Sequence, residues 1–345
     1  MNVLGIETSC DETSAAVVKD GCKILSNVIA TQIPFHAPWN GVVPEIASRK
    51  HIEWIYTVTK DAIEKANLKI EEIDAVAVTS RPGLLGSLLV GLSFAKAFSW
   101  ARNIPYIAVD HMLAHLYAPM LVQNIDQSPE YPFLGLLVSG GHTIICRADN
   151  FDDITVLGTT IDDAAGEAFD KVAKYYNFGY PGGLVIDKMA RNGDNEAFRF
   201  PMPSLHKGDH RYDVSYSGIK NAVINQLDTF KKKENYTNDD IAASFKKTAI
   251  EILLRALFNA AEDTGLSTIV AGGGVAANSF LRERLTNSVC TEQKKLRCLF
   301  PPLDLCGDNA AMIAGIGYQY LARGESSPMN IIAQARVSGF KKKYP

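Results

Sequence analysis

A short pattern of residues occurs twice in this chain and limits what it can fold into. The apolar runs Leu4-Gly5-Ile6 and Leu134-Gly135-Leu136 each meet small polar residues at a turn. Each is followed by a further strand-like stretch, residues 15–18 in the first case and 143–146 in the second. Such repetition is typical of a protein with two related lobes around a cleft, although two short strands can also resemble each other by chance.

The length and composition of the chain agree with a globular protein of two lobes. The chain has 345 residues, which is too long for one minimal core and suits two lobes or a duplicated unit. Hydrophobic residues make up 47% and charged residues 21%, as in ordinary globular proteins. The net charge of -3 does not indicate nucleic-acid binding, so a nucleic-acid partner would have to bind local patches.

The apolar periodicity predicts an α/β fold along the whole chain. In the first part, we expect strands at residues 3–6, 15–18, 23–29, 75–78 and 104–109, and helices at 46–66 and 84–101. After a linker near 119–132, we expect strands at 134–138, 143–146, 268–271, near Phe300 and at 330–341, and helices elsewhere. The apolar stretch 84–100 contains Ser87, Ser93 and Lys96, so it is interpreted as a buried helix and not as a membrane span.

The cysteines and the N-terminus favour a cytoplasmic location. The six cysteines form no C-x-x-C pair, which argues against a zinc ribbon or a thioredoxin-type site. Scattered thiols in a chain of this length fit a reducing cytosol better than a disulfide framework. The N-terminal residues lack the basic start and the apolar core of a signal peptide.

Two histidines and one aspartate form a candidate metal site. His111 and His115 follow the strand predicted at 104–109, and their spacing places both imidazoles on one helical face. A zincin protease would need Glu at the second position, where Met112 stands. Asp308, at a glycine-marked turn before a helix, either completes the site or caps that helix. Two histidines and a carboxylate suit iron(II), with zinc second.

Two glycine-rich turns are candidates for contact with a nucleotide. Ser139-Gly140-Gly141 follows an apolar run, and its backbone N–H groups could approach phosphate oxygens, although a plain β-turn is the alternative. Gly272-Gly273-Gly274 follows a second strand, and Asn278 lies just beyond it. This turn allows contact with an adenine face or a phosphate. It is not a G-x-G-x-x-G motif, so it does not predict a dinucleotide-binding fold.

Carboxylates on two further segments are candidates for hydrogen bonds to ribose hydroxyls. Glu167 and Asp170 share one face of a predicted helix, where a solvated surface is the alternative. Asp187 follows the turn Tyr180-Pro181-Gly182-Gly183, and it can contact a ribose or cap the helix.

The order of these motifs resembles one family. Residues 5–13, Gly-Ile-Glu-Thr-Ser-Cys-Asp-Glu-Thr, resemble the opening of the tRNA N6-adenosine threonylcarbamoyltransferases, once classified as glycoproteases. The remaining motifs follow in the family's order, and the resemblance extends from residue 3 to about residue 317. They are Pro82-Gly83-Leu84, His111 with His115, Val138–Thr143, Asp163–Lys171, Tyr180–Gly183, Ser215–Lys220, Gly273–Asn278 and Cys306–Ala311.

The resemblance implies the actin-like ATPase, sugar-kinase and heat-shock-chaperone fold, with two duplicated lobes around a nucleotide cleft. Residues 1–120 would form the first lobe and 121–314 the second, with 315–345 packing back on the first. The implied reaction moves a threonylcarbamoyl group from L-threonylcarbamoyl-AMP to N6 of the adenosine just 3′ of the anticodon, in tRNAs that read codons beginning with A. The implied helpers are a shorter paralogue of the same fold and a small P-loop ATPase.

The resemblance also implies a set of site residues. His111, His115 and Asp308 resemble the family's metal ligands. The substrate-binding set would be Leu137, Val138, Ser139, Gly140, Gly141, Asp170, Gly183, Asp187 and Asn278. The family often has an acidic residue where Leu113 stands, which raises the question of what supports the metal ligands by hydrogen bonding. No general base is identified, and Glu12 and the donor's own phosphate are the candidates.

Two other functions remain open on the sequence alone. A small-molecule kinase of the same fold would share the glycine turns but would have no use for the histidine pair. A non-catalytic scaffold, like the shorter paralogue, would lack the metal ligands. Possible contacts to tRNA phosphates are the lysine clusters at 231–233, 246–247, 294–297 and 341–343.

Overall fold

The chain forms two compact units. The computed structural model describes residues 1–121, 129–203, 205, 210–225, 236–288 and 296–336. The first unit contains residues 1–121 and 301–336, and the second contains the described residues between 129 and 300. Residues 301–314 therefore belong to the first unit, whereas the sequence placed them in the second lobe.

The first unit is built on a five-stranded mixed sheet. Its strands are β1 Asn2–Glu7, β2 Glu12–Lys19, β3 Lys23–Thr31, β4 Ala75–Arg81 and β5 Tyr106–Asp110. They lie in the order β3-β2-β1-β4-β5. The strand β1 is antiparallel to β2 and parallel to β4, and its residues 3–7 are buried on both faces. A strand of this kind must be covered by helices on both sides of the sheet.

In the described part of the first unit there are five α-helices. They are α1 Ile33–His36, α2 Pro44–Lys65, α3 Leu85–Arg102, α4 His111–Tyr117 and, from the end of the chain, α10 Ala310–Ala322. The helices α2 and α3 pack against each other and against the sheet, and α10 contacts β1, β2 and β4. The predicted buried helix at 84–101 is confirmed as α3, although Leu85, Leu89 and Trp100 on its outer face are exposed.

The helix α10 approaches β1 closely because β1 carries a glycine at the contact. A Cβ added to Gly5 would lie 2.1 Å from the carbonyl oxygen of Ala310 and 2.9 Å from the Cβ of Ala314. The backbone N–H of Ala310 also donates a hydrogen bond of 2.9 Å to Oγ of Ser14 in β2. These contacts explain why the segment beginning at residue 301 belongs to the first unit.

The second unit repeats the sheet of the first. Its strands are β6 Phe133–Val138, β7 Thr143–Ala148, β8 Ile154–Thr159, β9 Thr268–Gly272 and β10 Arg297–Leu299. Their order is β10-β9-β6-β7-β8, and β6 is antiparallel to β7 and parallel to β9. The strands β6, β7, β8, β9 and β10 thus correspond in order and direction to β1, β2, β3, β4 and β5. The predicted α/β fold with an internal duplication is confirmed.

Among the described residues, the second unit contains five α-helices. They are α5 Ala165–Tyr176, α6 Gly182–Met189, α7 Ser217–Asn225, α8 Asn238–Thr264 and α9 Ser279–Ser288. The long helix α8 starts at a reciprocal cap, in which Thr237 and Asp240 bind each other's backbone N–H groups. It ends at Gly265, whose φ of +69° lies in the left-handed region that glycine adopts without strain.

Two features of the sheet edges differ from the prediction. The strand β8 lies where a helix was predicted, so that prediction is wrong; this short stretch lacks the regular alternation of buried and exposed residues that indicates a strand. The final strand predicted at 330–341 is wrong over residues 330–336, and the rest of it lies outside the described residues. Gln334 N–H donates to the carbonyl of Ser80 and Gly83 N–H donates to the carbonyl of Ala335, but these two bonds do not make residues 330–336 a strand.

Across the part of the chain that the structure describes, we find no helix that combines the length and the apolar character needed to cross a bilayer.

We expect Gly5→Ala to destabilise the first unit. The added methyl group would overlap the Ala310 carbonyl, and relieving such overpacking in a core costs about 1–3 kcal/mol. Thermal unfolding followed by circular dichroism should show a lower midpoint. The matched control is Gly218→Ala in α7, where an added Cβ meets nothing within 4 Å. An unchanged midpoint for Gly5→Ala would show that α10 can move away from β1 without loss.

Candidate metal centre

The two predicted histidines lie on a short buried helix directly after β5. Asp110, the last residue of β5, accepts hydrogen bonds from the N–H groups of Met112 and Leu113 at 2.8 and 3.4 Å and so caps α4. His111 and His115 are one helical turn apart, and all seven residues of α4 are buried. The imidazoles therefore face the interior of the unit, where few other polar groups can bind them.

Asp308 lies just before α10. It does not cap this helix, although the sequence left that role open for it. The cap of α10 is Asn309, whose side chain accepts a hydrogen bond of 3.0 Å from Met312 N–H. The carboxylate of Asp308 instead points at the histidine pair. Its Oδ1 lies 3.1 Å from Nε2 of His115 and 3.4 Å from Nε2 of His111.

These three side chains have the geometry of a metal site. The two Nε2 atoms are 3.1 Å apart, so the three candidate ligand atoms form a nearly regular triangle. Ligands at about 2.0–2.2 Å from one ion lie about 2.9–3.5 Å from each other in tetrahedral or octahedral arrangements. With the two Nε2 atoms facing each other, they and the Asp308 carboxylate oxygen cannot all form good hydrogen bonds at the same time. The residues present therefore fit a divalent ion.

A carboxylate that the sequence did not single out supports this arrangement. Oε2 of Glu7 lies 3.0 Å from Nδ1 of His111, and Oγ of Ser9 lies 3.3 Å from the same nitrogen. Glu7 is completely buried, and its carboxylate also accepts hydrogen bonds from Ser9 N–H and from the hydroxyl of Thr79. Hydrogen bonding of Nδ1–H to a carboxylate leaves Nε2 free to bind a metal. Glu7 thus provides support of the kind that Leu113 cannot.

The signal for Glu7 was present in the sequence. It is a charged residue at the end of an apolar strand, where burial would be costly without a partner. Its partner is 104 residues further along the chain, and no local spacing reveals that distance.

The charges of these groups are strongly coupled. Burial alone would lower the pKa of His111, but the carboxylates of Glu7 and Asp308 outweigh it and raise that pKa well above the usual value. Burial would raise the pKa of Asp308, but the charge and hydrogen bonds of His111 and His115 lower it. For His115, burial and the neighbouring His111 both lower the pKa. Burial would raise the pKa of Glu7, but the charge and the hydrogen bond of His111 lower it.

In the second unit, the predicted phosphate-binding residues lie on one turn. Leu137 and Val138 end β6, and Ser139-Gly140-Gly141 form the turn that leads to β7. Ser139 N–H donates to the carbonyl of His142 at 2.8 Å, which fixes the turn. A Cβ added to Gly140 or Gly141 would meet nothing within 4 Å, so the backbone there borders open space. Because Ser139 N–H is used within the turn, the N–H groups of Gly140 and Gly141 are the candidates for contact with a ligand.

The second glycine turn packs beside the first. Gly273 has a φ of +93°, and a Cβ added there would lie 2.3 Å from the carbonyl oxygen of Val138. Asn278 caps α9, because its Oδ1 accepts hydrogen bonds from the N–H groups of Phe280 and Leu281, both at 3.1 Å. The ends of β6 and β9 and the start of α9 thus lie together.

The predicted carboxylates have structural partners. Asp170 Oδ1 accepts a hydrogen bond of 2.8 Å from Gly182 N–H, which places it beside Gly183. Asp187 Oδ1 accepts from Ser279 Oγ at 2.8 Å, next to Asn278. Glu167 accepts from Ala164 N–H at the start of α5 and pairs with Lys171. The structure brings Asp170 and Asp187 to the predicted set and uses Glu167 as a cap.

The prediction that the lysine cluster at 246–247 contacts tRNA phosphates is wrong for Lys246. Lys246 is buried, with only 7% exposed, and it pairs with Asp187. Its neighbour Lys247 pairs with Glu196. The clusters at 231–233 and 341–343, together with Lys294 and Lys295, lie outside the described residues.

We expect Glu7→Gln to weaken metal binding although Glu7 is not a ligand. Loss of a charged hydrogen-bond partner of a metal-binding histidine typically lowers affinity about 10–100-fold. Competition with a chelating dye would measure the affinity for Fe(II) and Zn(II). Atomic emission after desalting would measure the metal that remains bound.

Two variants calibrate that measurement. Asp308→Ala should lose the ion more completely than Glu7→Gln, and Glu64→Gln, an exposed carboxylate on α2, should match the wild type. If Asp308→Ala keeps a full complement of metal, the triangle of His111, His115 and Asp308 is not a metal site.

Comparison with known proteins shows the family of this chain. A family model described as tRNA N6-adenosine threonylcarbamoyltransferase matches residues 23–315. A protein of that name from Treponema denticola is 64% identical over 344 residues, covering 99% of both chains.

Two solved structures resemble the whole fold at 13–14% identity. Full-length HypF in its phosphate- and nucleotide-bound form has a TM-score of 0.61 over 94% of this chain and 47% of that one. The ROK hexokinase from Thermus thermophilus has a TM-score of 0.50 over 94% and 99%. The fold is thus the actin-like, sugar-kinase type. By its sequence over nearly its full length, this chain belongs to the tRNA N6-adenosine threonylcarbamoyltransferase family.

Proposed function

We propose that the transfer this enzyme performs, of a threonylcarbamoyl group to N6 of an adenosine in tRNA, uses a divalent metal held by His111, His115 and Asp308. The observation that supports the proposal is the triangle of two Nε2 atoms and one Oδ1 atom with sides of 3.1–3.4 Å. Two histidines and one carboxylate leave coordination positions open for a substrate. The donor set favours iron(II), with zinc second.

The proposed donor is L-threonylcarbamoyl-AMP, and the acceptor is the adenosine just 3′ of the anticodon. The N6 lone pair attacks the carbamoyl carbon, the bond from that carbon to the phosphate oxygen breaks, and AMP leaves with the electron pair. The proton lost from N6 passes to a base. A bound divalent ion would act as a Lewis acid on phosphate or carbonyl oxygens of the donor.

The residues of the chain contribute chiefly position and electrostatics. We propose that the Ser139-Gly140-Gly141 turn holds a phosphate through the N–H groups of Gly140 and Gly141, since Ser139 N–H already donates to the carbonyl of His142. Asp170 and Asp187 are proposed to accept hydrogen bonds from ribose hydroxyls, and Asn278 with Gly273 and Gly274 to border the adenine. Fixing the donor in this way lowers the barrier by several kcal/mol through proximity. We propose that Leu137, Val138 and Gly183 complete this set.

Glu12 is poorly suited to take the proton from N6. Burial raises the pKa of Glu12 to about 10, and the charges of Asp11 and Asp308 add to the rise. A carboxyl group with such a pKa carries its proton at neutral pH and cannot accept another. A cation beside Asp308 would reduce one of these contributions but not burial, which is the largest. The departing phosphate of the donor is therefore the better base.

The partners and the location follow from the reaction. We propose that the chain acts in the cytoplasm, where the tRNA substrate is found and where its free thiols remain reduced. A shorter paralogue and a small P-loop ATPase are proposed helpers. A kinase would have no use for the triangle of His111, His115 and Asp308. A non-catalytic scaffold would have no use for this triangle or for the open glycine turn.

We expect labelled threonine to enter unmodified tRNA when the protein is incubated with threonylcarbamoyl-AMP and the two helpers. His111→Ala should reduce this transfer at least about a hundredfold, because loss of a metal ligand exceeds the loss of a residue that only supports one. Filter binding of the labelled tRNA gives the rate, and metal content is measured on the same samples.

The outcomes separate the reaction from the metal. Transfer that persists at the wild-type rate in a metal-free His111→Ala protein would remove the metal from the chemistry. If no label enters tRNA even with helpers, while a sugar or carboxylic acid becomes phosphorylated from ATP, the kinase function replaces the proposal. Lys60→Met, which changes an exposed ion pair with Glu64 on α2, is the control for handling and folding.

A further inference from the structure

Lys246 has an unusual environment for a lysine. It lies on α8, and its side chain is 9% exposed. Its Nζ is 3.3 Å from Oδ1 of Asp187 and 3.3 Å from Oγ of Ser279. A buried ammonium group is costly unless a partner compensates its charge and accepts its hydrogen bonds. This lysine therefore serves the groups around it, not solvent or a polyanion.

The two oxygens of Asp187 have different surroundings. Oδ1 accepts from Lys246 Nζ at 3.3 Å, Ser279 N–H at 3.2 Å and Ser279 Oγ at 2.8 Å. Oδ2 is approached among the described residues by Arg191, at 3.7 Å, and the side chain of Arg191 is 68% exposed. An exposed pair at this distance contributes little. One oxygen is thus fixed by three donors, and the other remains available to accept a hydrogen bond.

This network joins three helices. Asp187 is on α6, Lys246 on α8, and Ser279 is the first residue of α9, next to Asn278. Because Oδ1 is held from two of these helices, the plane of the carboxylate and the direction of Oδ2 are set. Ser279 alone would hold Oδ1 from one side and would leave the negative charge of Asp187 without a buried cation.

We propose that Lys246 is a positioning residue, which together with Ser279 holds Oδ1 of Asp187 so that Oδ2 is presented to a ribose hydroxyl of the adenine nucleotide. This inference rests on the proposed function, in which Asp187 contacts that ribose. Lys246 itself touches neither the nucleotide nor the reacting atoms. Its effect should therefore be specific to the ribose and absent for ligands that lack the hydroxyl.

The test measures the binding of AMP, 2′-deoxy-AMP and 3′-deoxy-AMP by isothermal titration calorimetry. The wild type should bind AMP more tightly than at least one deoxy analogue, since that analogue cannot donate to Asp187. Lys246→Met should weaken AMP about tenfold and change the affinity for that analogue little, so that the preference disappears. Asp187→Asn should show the same loss of preference, and the double variant no further loss.

Three further variants separate positioning from general damage. Lys247→Met is the matched control, because Lys247 is the next residue of α8 and pairs with Glu196 at the surface, and it should keep the wild-type preference. Lys246→Gln keeps a hydrogen-bond donor without the charge, and its preference should lie between those of the wild type and Lys246→Met. If Lys246→Met does not fold, Lys246→Gln and Ser279→Ala, which removes the Oγ donor, give the decisive measurements.

Each result supports or overturns the inference. A loss of affinity by the same factor for AMP and both analogues means a merely structural role and overturns it. A wild-type preference that survives in Lys246→Met but not in Asp187→Asn overturns it and leaves the ribose contact intact. A wild type that binds AMP and both analogues equally, or binds none of them, removes the proposed ribose contact and this inference together.

Discussion

The close approach of α10 to β1 sets the position of the candidate metal site. It depends on Gly5, because any side chain there would meet the carbonyl of Ala310. Asp308 lies two residues before that carbonyl, so the packing of the helix determines how far its carboxylate reaches. The same strand ends in Glu7, which orients His111. One buried strand thus positions the candidate ligand Asp308 from the end of the chain and supports the candidate ligand His111 from its middle.

The sequence indicated the three candidate ligands, which the structure brings together, more readily than the groups that support them. The spacing of His111 and His115 and the turn before Asp308 are local signals, and a family resemblance joined them. The role of Glu7 could not be predicted from spacing, because it depends on β1 and β5 lying in one sheet with β4 between them. Asn309 was equally hidden, since either residue of an Asp-Asn pair can cap a helix, and only the structure shows which one does.

The fold was predicted best where strands are buried on both faces. The strands β1, β4, β6 and β9 have nearly continuous apolar sequences, and they form the centre of the two sheets. The edge strand β8 escaped prediction because it is only partly buried and contains a glycine. The exposed face of α3 was missed for a related reason, since Leu89 and Trp100 are apolar but lie at the surface. Composition indicates a helix there, but not which side is covered.

The charges in the two units are balanced in different ways. In the second unit, Asp187 has a buried lysine beside it, so that carboxylate is compensated by the protein itself. In the first unit, burial would raise the pKa values of Glu7 and Asp308, but the charge of His111 lowers both. The pKa of His111 is raised well above its usual value by these carboxylates, whereas burial and His111 lower the pKa of His115. A protonated His111 leaves one negative charge uncompensated and blocks its own Nε2. A divalent ion bound by two neutral histidines compensates both carboxylates at once. Burial makes an uncompensated charge expensive, so the same electrostatics that hold this site together favour a doubly charged cation over a proton.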